Sequence, residues 1–332
     1  MKILVIGAGA LGGYFGGCLA RAARDVTFLV RARRAEQLAR TGLSIASPDG
    51  DFVVPPKLVA AKDLNGHFDV ILVGVKSYSL DEAMDEFACA VGPSTMILPI
   101  LNGLKHIDLL TSRFSADQVL GGMANISAGL DAEGRIVQFF PSRALVFGEL
   151  RGGPSDRMAA LVHVFEVSGV EARASSGVIH DMWEKFVQLS TVAGITCLMR
   201  ATIGEILAVP GGREAIFQLF DECCAVATAS GFRPSPTFIE AATTLLSTRG
   251  SSLKASMLRD IERGSVTEGE HILGDMASRA RALSVNTPLL DLARAHIAAY
   301  ELGGAKSSGT ADTTRLIVGW VRGLRRRLGI RQ

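Results

Sequence analysis

Three glycines, in the run Gly7-Ala8-Gly9-Ala10-Leu11-Gly12, are the first residues of this 332-residue sequence whose types and spacing suggest chemistry. They follow a short apolar run, Lys2 to Ile6 (KILVI), and open a helical pattern from Leu11 to Ala22. In a strand–turn–helix of this kind the first glycine makes the tight turn and the second lets a pyrophosphate approach the backbone. The third lets helix and strand pack closely. The helix start offers free N–H groups and a partial positive charge to phosphate oxygens. Gly7, Ala8, Gly9, Ala10, Leu11 and Gly12 are therefore the expected cradle of a dinucleotide. A glycine-rich turn alone is weak evidence, and its weight comes from sitting inside a complete βαβ unit.

The end of the second strand, Asp25 to Val30 (DVTFLV), bears on which dinucleotide is bound. An acid there would hold ribose hydroxyls. Here Val30 is followed by Arg31-Ala32-Arg33-Arg34, with no acid before Glu36. A guanidinium grips a 2′-phosphate that a carboxylate would repel, so Arg31 predicts NADPH as the cofactor. A second reading has these arginines merely solvating a helix start, and for Arg33 and Arg34 it stands beside the first. Lys76 follows the strand pattern DVILVGV, and Asn102 follows MILPIL. Both fall at the strand ends where open α/β sheets bind ligands, which makes them candidate cofactor or substrate contacts.

The elements that must position these residues alternate through the first half. Strand patterns at Lys2–Ile6, Asp25–Val30, Asp69–Val75, Thr95–Pro99 and Val170–Ala174 are interleaved with helical patterns, including 32–40 and 80–90. Ser47-Pro48-Asp49-Gly50 and Asp131-Ala132-Glu133-Gly134 read as turns between strands. From Gly177 to Tyr300 the periodicity becomes helical, with candidates at 178–200, 212–230, 236–247, 254–283 and 287–302. The predicted fold is thus α/β: a Rossmann-type parallel-sheet domain over 1–176, followed by an all-helical domain over 177–332.

Composition excludes several classes. A hydrophobic content of 48%, a charged content of 20% and a net charge of +2 describe a globular chain without bias toward nucleic acid or membrane. Five cysteines without CxxC spacing argue against a disulfide framework or structural zinc and fit a reducing cytoplasm. Cys223-Cys224 reads as two buried helical thiols or as a redox pair. Residues 3–20 carry no charge and imitate a secretory signal, but six of those eighteen residues are glycine, a poor composition for an apolar helix. After Asp312 six arginines occur with no acid, which reads as a solvated helix end or as a nucleic-acid contact.

Taken in order, the glycine turn, Arg31, VKSY at 75–78, LNG at 101–103 and ISA at 126–128 before G-R-I-V resemble the ketopantoate reductases (2-dehydropantoate 2-reductases). FGE at 147–149, WEKF at 183–186 and SMLRDIERGSVTEGEHI at 256–272 extend the resemblance over nearly the whole chain. It implies a Rossmann domain and a helical domain with the active site between them. It also implies NADPH-dependent reduction of a 2-oxo acid, in pantothenate biosynthesis. Lys185 matches the general acid, and Glu268 the glutamate contacting the nicotinamide ribose and the catalytic network. Ser256 matches a substrate-binding serine, and Asp260 a supporting acid. Lys76, Asn102 and Ala128 match cofactor contacts, with Asn102 also near substrate. A small 2-oxo acid is the expected partner, and a homodimer is open.

The pattern of residues leaves a plainer reading of Lys185, a surface lysine paired with Asp181 or Glu184. An ammonium could serve as acid only if burial lowered its pKa from about 10.4. Ser256, Asp260 and Glu268 fall within about 120° of one another on a continuous helix, which predicts a shared face with Gly264 as a bend. Four positions that are asparagine in the resembled family are here Leu189, Ala193, Ile203 and Leu253. A pocket built for a hydroxyl loses roughly 1–3 kcal/mol for each buried partner left unpaired. A less hydroxylated, more apolar substrate is therefore expected. Two other functions fit the same motifs: a dehydrogenase of the same plan acting on another ketone or imine, and a non-catalytic NADPH sensor.

Overall fold

The computed structural model describes residues 1–307, so the arginine-rich tail lies outside the described residues. The chain divides into two compact units, Met1–Val187 and a second beginning at Gln188. The division falls inside a long helix that begins at Val178, and Val178 and Met182 at its start lie against Gly121 and Gly148 of the first unit.

The first unit runs β1 (Lys2–Ile6), α1 (Ala10–Arg21), β2 (Asp25–Leu29), α2 (Ala32–Thr41), β3 (Leu43–Ala46), β4 (Phe52–Val54), β5 (Lys57–Val59), β6 (Phe68–Val73), α3 (Leu80–Phe87) and β7 (Val91–Pro99). It continues with α4 (Lys105–Arg113), β8 (Leu120–Leu130), β9 (Ile136–Glu149), α5 (Asp156–Phe165), β10 (Glu171–Ala174) and the start of α6 (Val178–Met199). Five parallel strands form one sheet in the order β5-β2-β1-β6-β7. β1 is central, and Ile3 to Ile6 are at most 1% exposed, as an apolar run buried on both faces requires. The predicted turns at 47–50 and 131–134 are present. Their strands build a second sheet, β10-β9-β3-β4 with β8 antiparallel to β9, which the alternating pattern does not disclose.

α1 lies between the two sheets, and its glycines make this possible. A Cβ on Gly16 would stand 2.6 Å from the Phe28 ring of the first sheet, and one on Gly17 would stand 2.6 Å from Ile45 of the second. Phe15, Phe28, Leu43, Phe147 and Phe165 share the single core so formed. The glycine content that imitates a secretory signal is thus a packing requirement. β8 meets the end of β7 at a second close approach, where a Cβ on Gly122 would lie 2.2 Å from the Pro99 carbonyl oxygen.

The second unit contains the rest of α6, then α7 (Ile203–Leu207), α8 (Gly212–Ala229), α9 (Pro236–Ser247), α10 (Ser256–Glu262), α11 (Asp275–Ala282) and α12 (Pro288–Ser307). Helix starts carry their expected chemistry. Thr202 and Glu205 form a capping box on α7, and Ser235 caps α9 with Pro236 in its first turn. The buried Glu222 of α8 accepts hydrogen bonds from the backbone N–H groups of Leu289 and Leu290, capping α12 from another helix. No helix among the described residues is long and apolar enough to cross a membrane.

The continuous helix expected over 254–283 is not formed. α10 ends at Glu262, and Gly264, at φ +66°, takes the left-handed position of a helix stop. The N–H of Ser265 donates to the Asp260 carbonyl at 2.8 Å and that of Gly264 to Ile261 at 3.0 Å, the paired bonds of a Schellman motif. Helical structure resumes around Gly269 with a π turn over Glu270–Gly274 that leads into α11.

The Gly122 contact is expected to be sensitive to a single methyl. Gly122→Ala should lower stability by about 1–3 kcal/mol, since the obstructing atom is backbone. Gly303→Ala, with open space around it, should stay within about 1 kcal/mol of the parent. Thermal or urea unfolding of the two variants measures the difference.

Candidate active site

Four strands of the first sheet end along one edge, each followed by a residue expected to serve the site. β1 runs into Gly7, β2 into Arg31, β6 into Gly74 and Lys76, and β7 into Asn102. Gly7 adopts φ +85° and donates its N–H to the Leu29 carbonyl at 3.0 Å, which turns the chain sharply at the sheet edge. A Cβ on Gly12 would lie 2.2 Å from the Gly7 carbonyl oxygen, whereas nothing lies within 4 Å of one on Gly9. The turn is therefore closed toward the protein at Gly12 and open at Gly9. The first turn of α1 has no side-chain cap and no acidic residue, leaving its N–H groups to an anion. These features fit a bound pyrophosphate.

The turn is fastened from behind by a residue that spacing alone does not mark for this role. Arg34 donates from Nε to the Ala8 carbonyl at 3.0 Å and from Nη1 to the Gly134 carbonyl at 2.8 Å. It is half-buried, and desolvation lowers its pKa. Arg34 is thus a structural clamp, not a solvated helix start. Arg31, at the N-cap of α2, is exposed and paired with Glu82 of α3. Lys76 is exposed at the start of a short 3₁₀ turn, and Asn102 is half-buried. Ala128 lies past a bulge in β8, opposite Gln138. The Gln138 Oε1 accepts the Tyr14 hydroxyl of α1 at 2.7 Å, so this stretch of the β8–β9 hairpin is tied to the helix that begins at the cradle.

Lys185 projects from the first half of α6, and its Nζ donates to the backbone carbonyl of Ala124 on β8 at 2.6 Å. Ala124 is two residues along β8 from Gly122, which abuts Pro99 at the end of β7. The plainer pairing is not made: Asp181 faces Arg173 at 3.6 Å, and Glu184 faces His180 at 3.8 Å. Burial, unopposed by any carboxylate, lowers the Lys185 ammonium from 10.5 to about 8. Nothing in the sequence marks Ala124, because its contribution is a main-chain oxygen.

The remaining candidates belong to the second unit. Ser256 is exposed at the first position of α10, Asp260 is half-buried one turn later, and Glu268 is buried beyond the helix stop. The single helix face expected for the three is therefore corrected: Ser256 and Asp260 share a helix, and Glu268 stands on the segment leading into the π turn. Ala193 and Ile203 are fully buried, while Leu189 and Leu253 are half-buried. The Ile203 N–H donates to the Leu253 carbonyl at 2.9 Å, which sets two of the four apolar replacements side by side.

Residues 3–152 match the family model described as ketopantoate reductase PanE/ApbA, and residues 178–301 match the model of its C-terminal part. The chain belongs to the ketopantoate reductase family. It is similar to an uncharacterised oxidoreductase of Bacillus subtilis, at 38% identity over 91% of this chain and 99% of that protein. The crystal structure of 2-dehydropantoate 2-reductase from Methylococcus capsulatus is similar with TM-score 0.82 and 28% identity, covering 94% of this chain and 99% of that one. A D-mandelate dehydrogenase has the same fold, with TM-score 0.82 at 22% identity over 92% of this chain and 99% of its own. The ketopantoate reductase fold is thus compatible with more than one substrate, and fold alone does not select among them.

Within this family member the burial of Lys185 has a consequence for stability. Because folding lowers its pKa, the unfolded chain binds the proton more tightly. The cost to the folded state is full below about 8 and is relieved as pH rises toward 10.5. Lys185→Met should therefore be more stable than the parent at neutral pH, by about 1–3 kcal/mol. The gap should narrow at pH values near 10, as read by urea unfolding.

Proposed function

We propose that this oxidoreductase reduces a 2-oxo acid with NADPH and that Lys185 supplies the proton. The observation that carries the reading is the desolvated Lys185 ammonium, held by a carbonyl rather than a carboxylate and poised at about 8. An ammonium of that pKa is a far better proton donor near neutrality than an ordinary lysine, and it also stabilises negative charge growing on a carbonyl oxygen. A bound nicotinamide supplies the hydride. The backbone N–H groups from Gly7 to Gly12 hold the pyrophosphate, Arg31 takes the 2′-phosphate, and Lys76, Asn102 and Ala128 line the cofactor. The Ala124 carbonyl occupies one N–H of Lys185 and aims the others, leaving Nζ free to bind the substrate oxygen and release its proton there. Asn102 and Ser256 bind the substrate, and Glu268 holds the nicotinamide ribose.

The substrate we assign is a 2-oxo acid with an apolar side chain. Leu189, Ala193, Ile203 and Leu253 offer no hydrogen-bonding side chains where a hydroxylated substrate would need them, and a buried hydroxyl left without a partner is strongly disfavoured. Ketopantoate, and with it a place in pantothenate synthesis, would require other donors.

Oxidation of NADPH should be followed against a panel of 2-oxo acids that includes ketopantoate. Apolar members are expected to give the higher kcat/KM, and tight NADPH binding without any turnover would favour the sensor instead. Lys185→Ala should lower kcat by about 10²–10⁴-fold. The parent's reduction rate should fall as pH rises through about 8, where the ammonium loses its proton. In a separate binding measurement, Arg31→Ala should weaken NADPH by tenfold or more, as about 1.4 kcal/mol of charge-assisted bonding implies, while NADH changes little.

A further inference from the structure

The end of β2 lacks the acid that would hold unphosphorylated ribose, yet the fold brings a carboxylate to the same place from another element. Arg31 stands at the N-cap of α2 and Glu82 in the first turn of α3, and their side chains form an ion pair. Glu86 lies one turn further along α3. Its carboxyl is pushed up by burial and then by Glu82, with Arg31 pulling it down. Two carboxylates thus act around one guanidinium. We infer that Glu82 is a specificity-determining residue: it competes with a 2′-phosphate for Arg31, offers an acceptor to free ribose hydroxyls, and so narrows the preference for the phosphorylated dinucleotide. This rests on the reading above that Arg31 is the phosphate's partner.

A carboxylate and a phosphate both engage a guanidinium through paired oxygens, so occupancy of Arg31 by one opposes the other. A 2′-phosphate, with a charge of about −2, would also be repelled by Glu82 and Glu86. Arg31 and Glu82 have side-chain exposures of 62% and 63%, so water and salt screen both effects and the expected change is modest. A dinucleotide without the phosphate meets no such repulsion.

The test is calorimetric binding of two probes that need no turnover, ADP and ADP carrying a 2′-phosphate, to the full chain and three variants. Glu82→Gln should shift the affinity ratio toward the phosphorylated probe by about three- to tenfold. Arg31→Ala should shift it the other way, and in the Glu82→Gln/Arg31→Ala double variant the gain should shrink to the smaller part owed to direct repulsion. An unchanged ratio in Glu82→Gln, with Arg31→Ala still selective, overturns the inference and leaves the Arg31 assignment standing. A gain that persists undiminished without Arg31 also overturns it, since the effect would then be a general change of surface charge and not a competition for the guanidinium. An Arg31→Ala variant that weakens both probes equally overturns the Arg31 assignment itself.

Discussion

The first unit depends on how closely α1 approaches strands on both sides. A helix pressed between two sheets has most of its surface covered, and the side chains facing the sheets compete for space with the strands. Glycine at 16 and 17 removes that competition toward Phe28 and Ile45. Glycine at 12 does the same toward the Gly7 carbonyl. The glycine turn is thus the upper end of a tightly packed layer. Arg34 and the Tyr14–Gln138 bond lock that end to the second sheet's hairpin, so the turn is held from several directions at once.

The surroundings of Lys185 follow from the same packing. β8 reaches the end of β7 only because Gly122 has no side chain to meet Pro99. That contact brings the Ala124 carbonyl to the side of the unit on which α6 begins. Neighbouring acids on α6 are engaged with Arg173 and His180, so the ammonium is paired with a dipole in place of a charge. Its acidity is therefore set by desolvation rather than by an ion pair.

Much of this was legible in the residues. KILVI, DVTFLV and DVILVGV read as strands because continuous apolar runs suit a sheet buried on both faces. The turns at 47–50 and 131–134 follow from their glycines and aspartates. What was not legible is long-range: that the strands flanking those turns make a second sheet, that Glu222 caps a helix far along the chain, and that Glu82 meets Arg31. Gly264 marks the stop after Glu262, but helical apolar periodicity on both sides makes a left-handed cap look like a bend in one helix. The Ala124 oxygen could not be foreseen, since every residue carries one.

The place where the chain divides separates two kinds of risk. The glycine turn and Lys185 lie before Gln188, within one compact unit, while Leu189, Ala193, Ile203 and Leu253 all lie after it. On the proposed reading, the phosphate cradle and the proton donor are carried by one folding body, and the four apolar positions that disfavour a hydroxylated substrate by another. Such a chain can change what it accepts by substitution in its helical body, without disturbing the spacing between proton donor and cradle. Divergent substrates on a common reaction are a natural outcome of that arrangement.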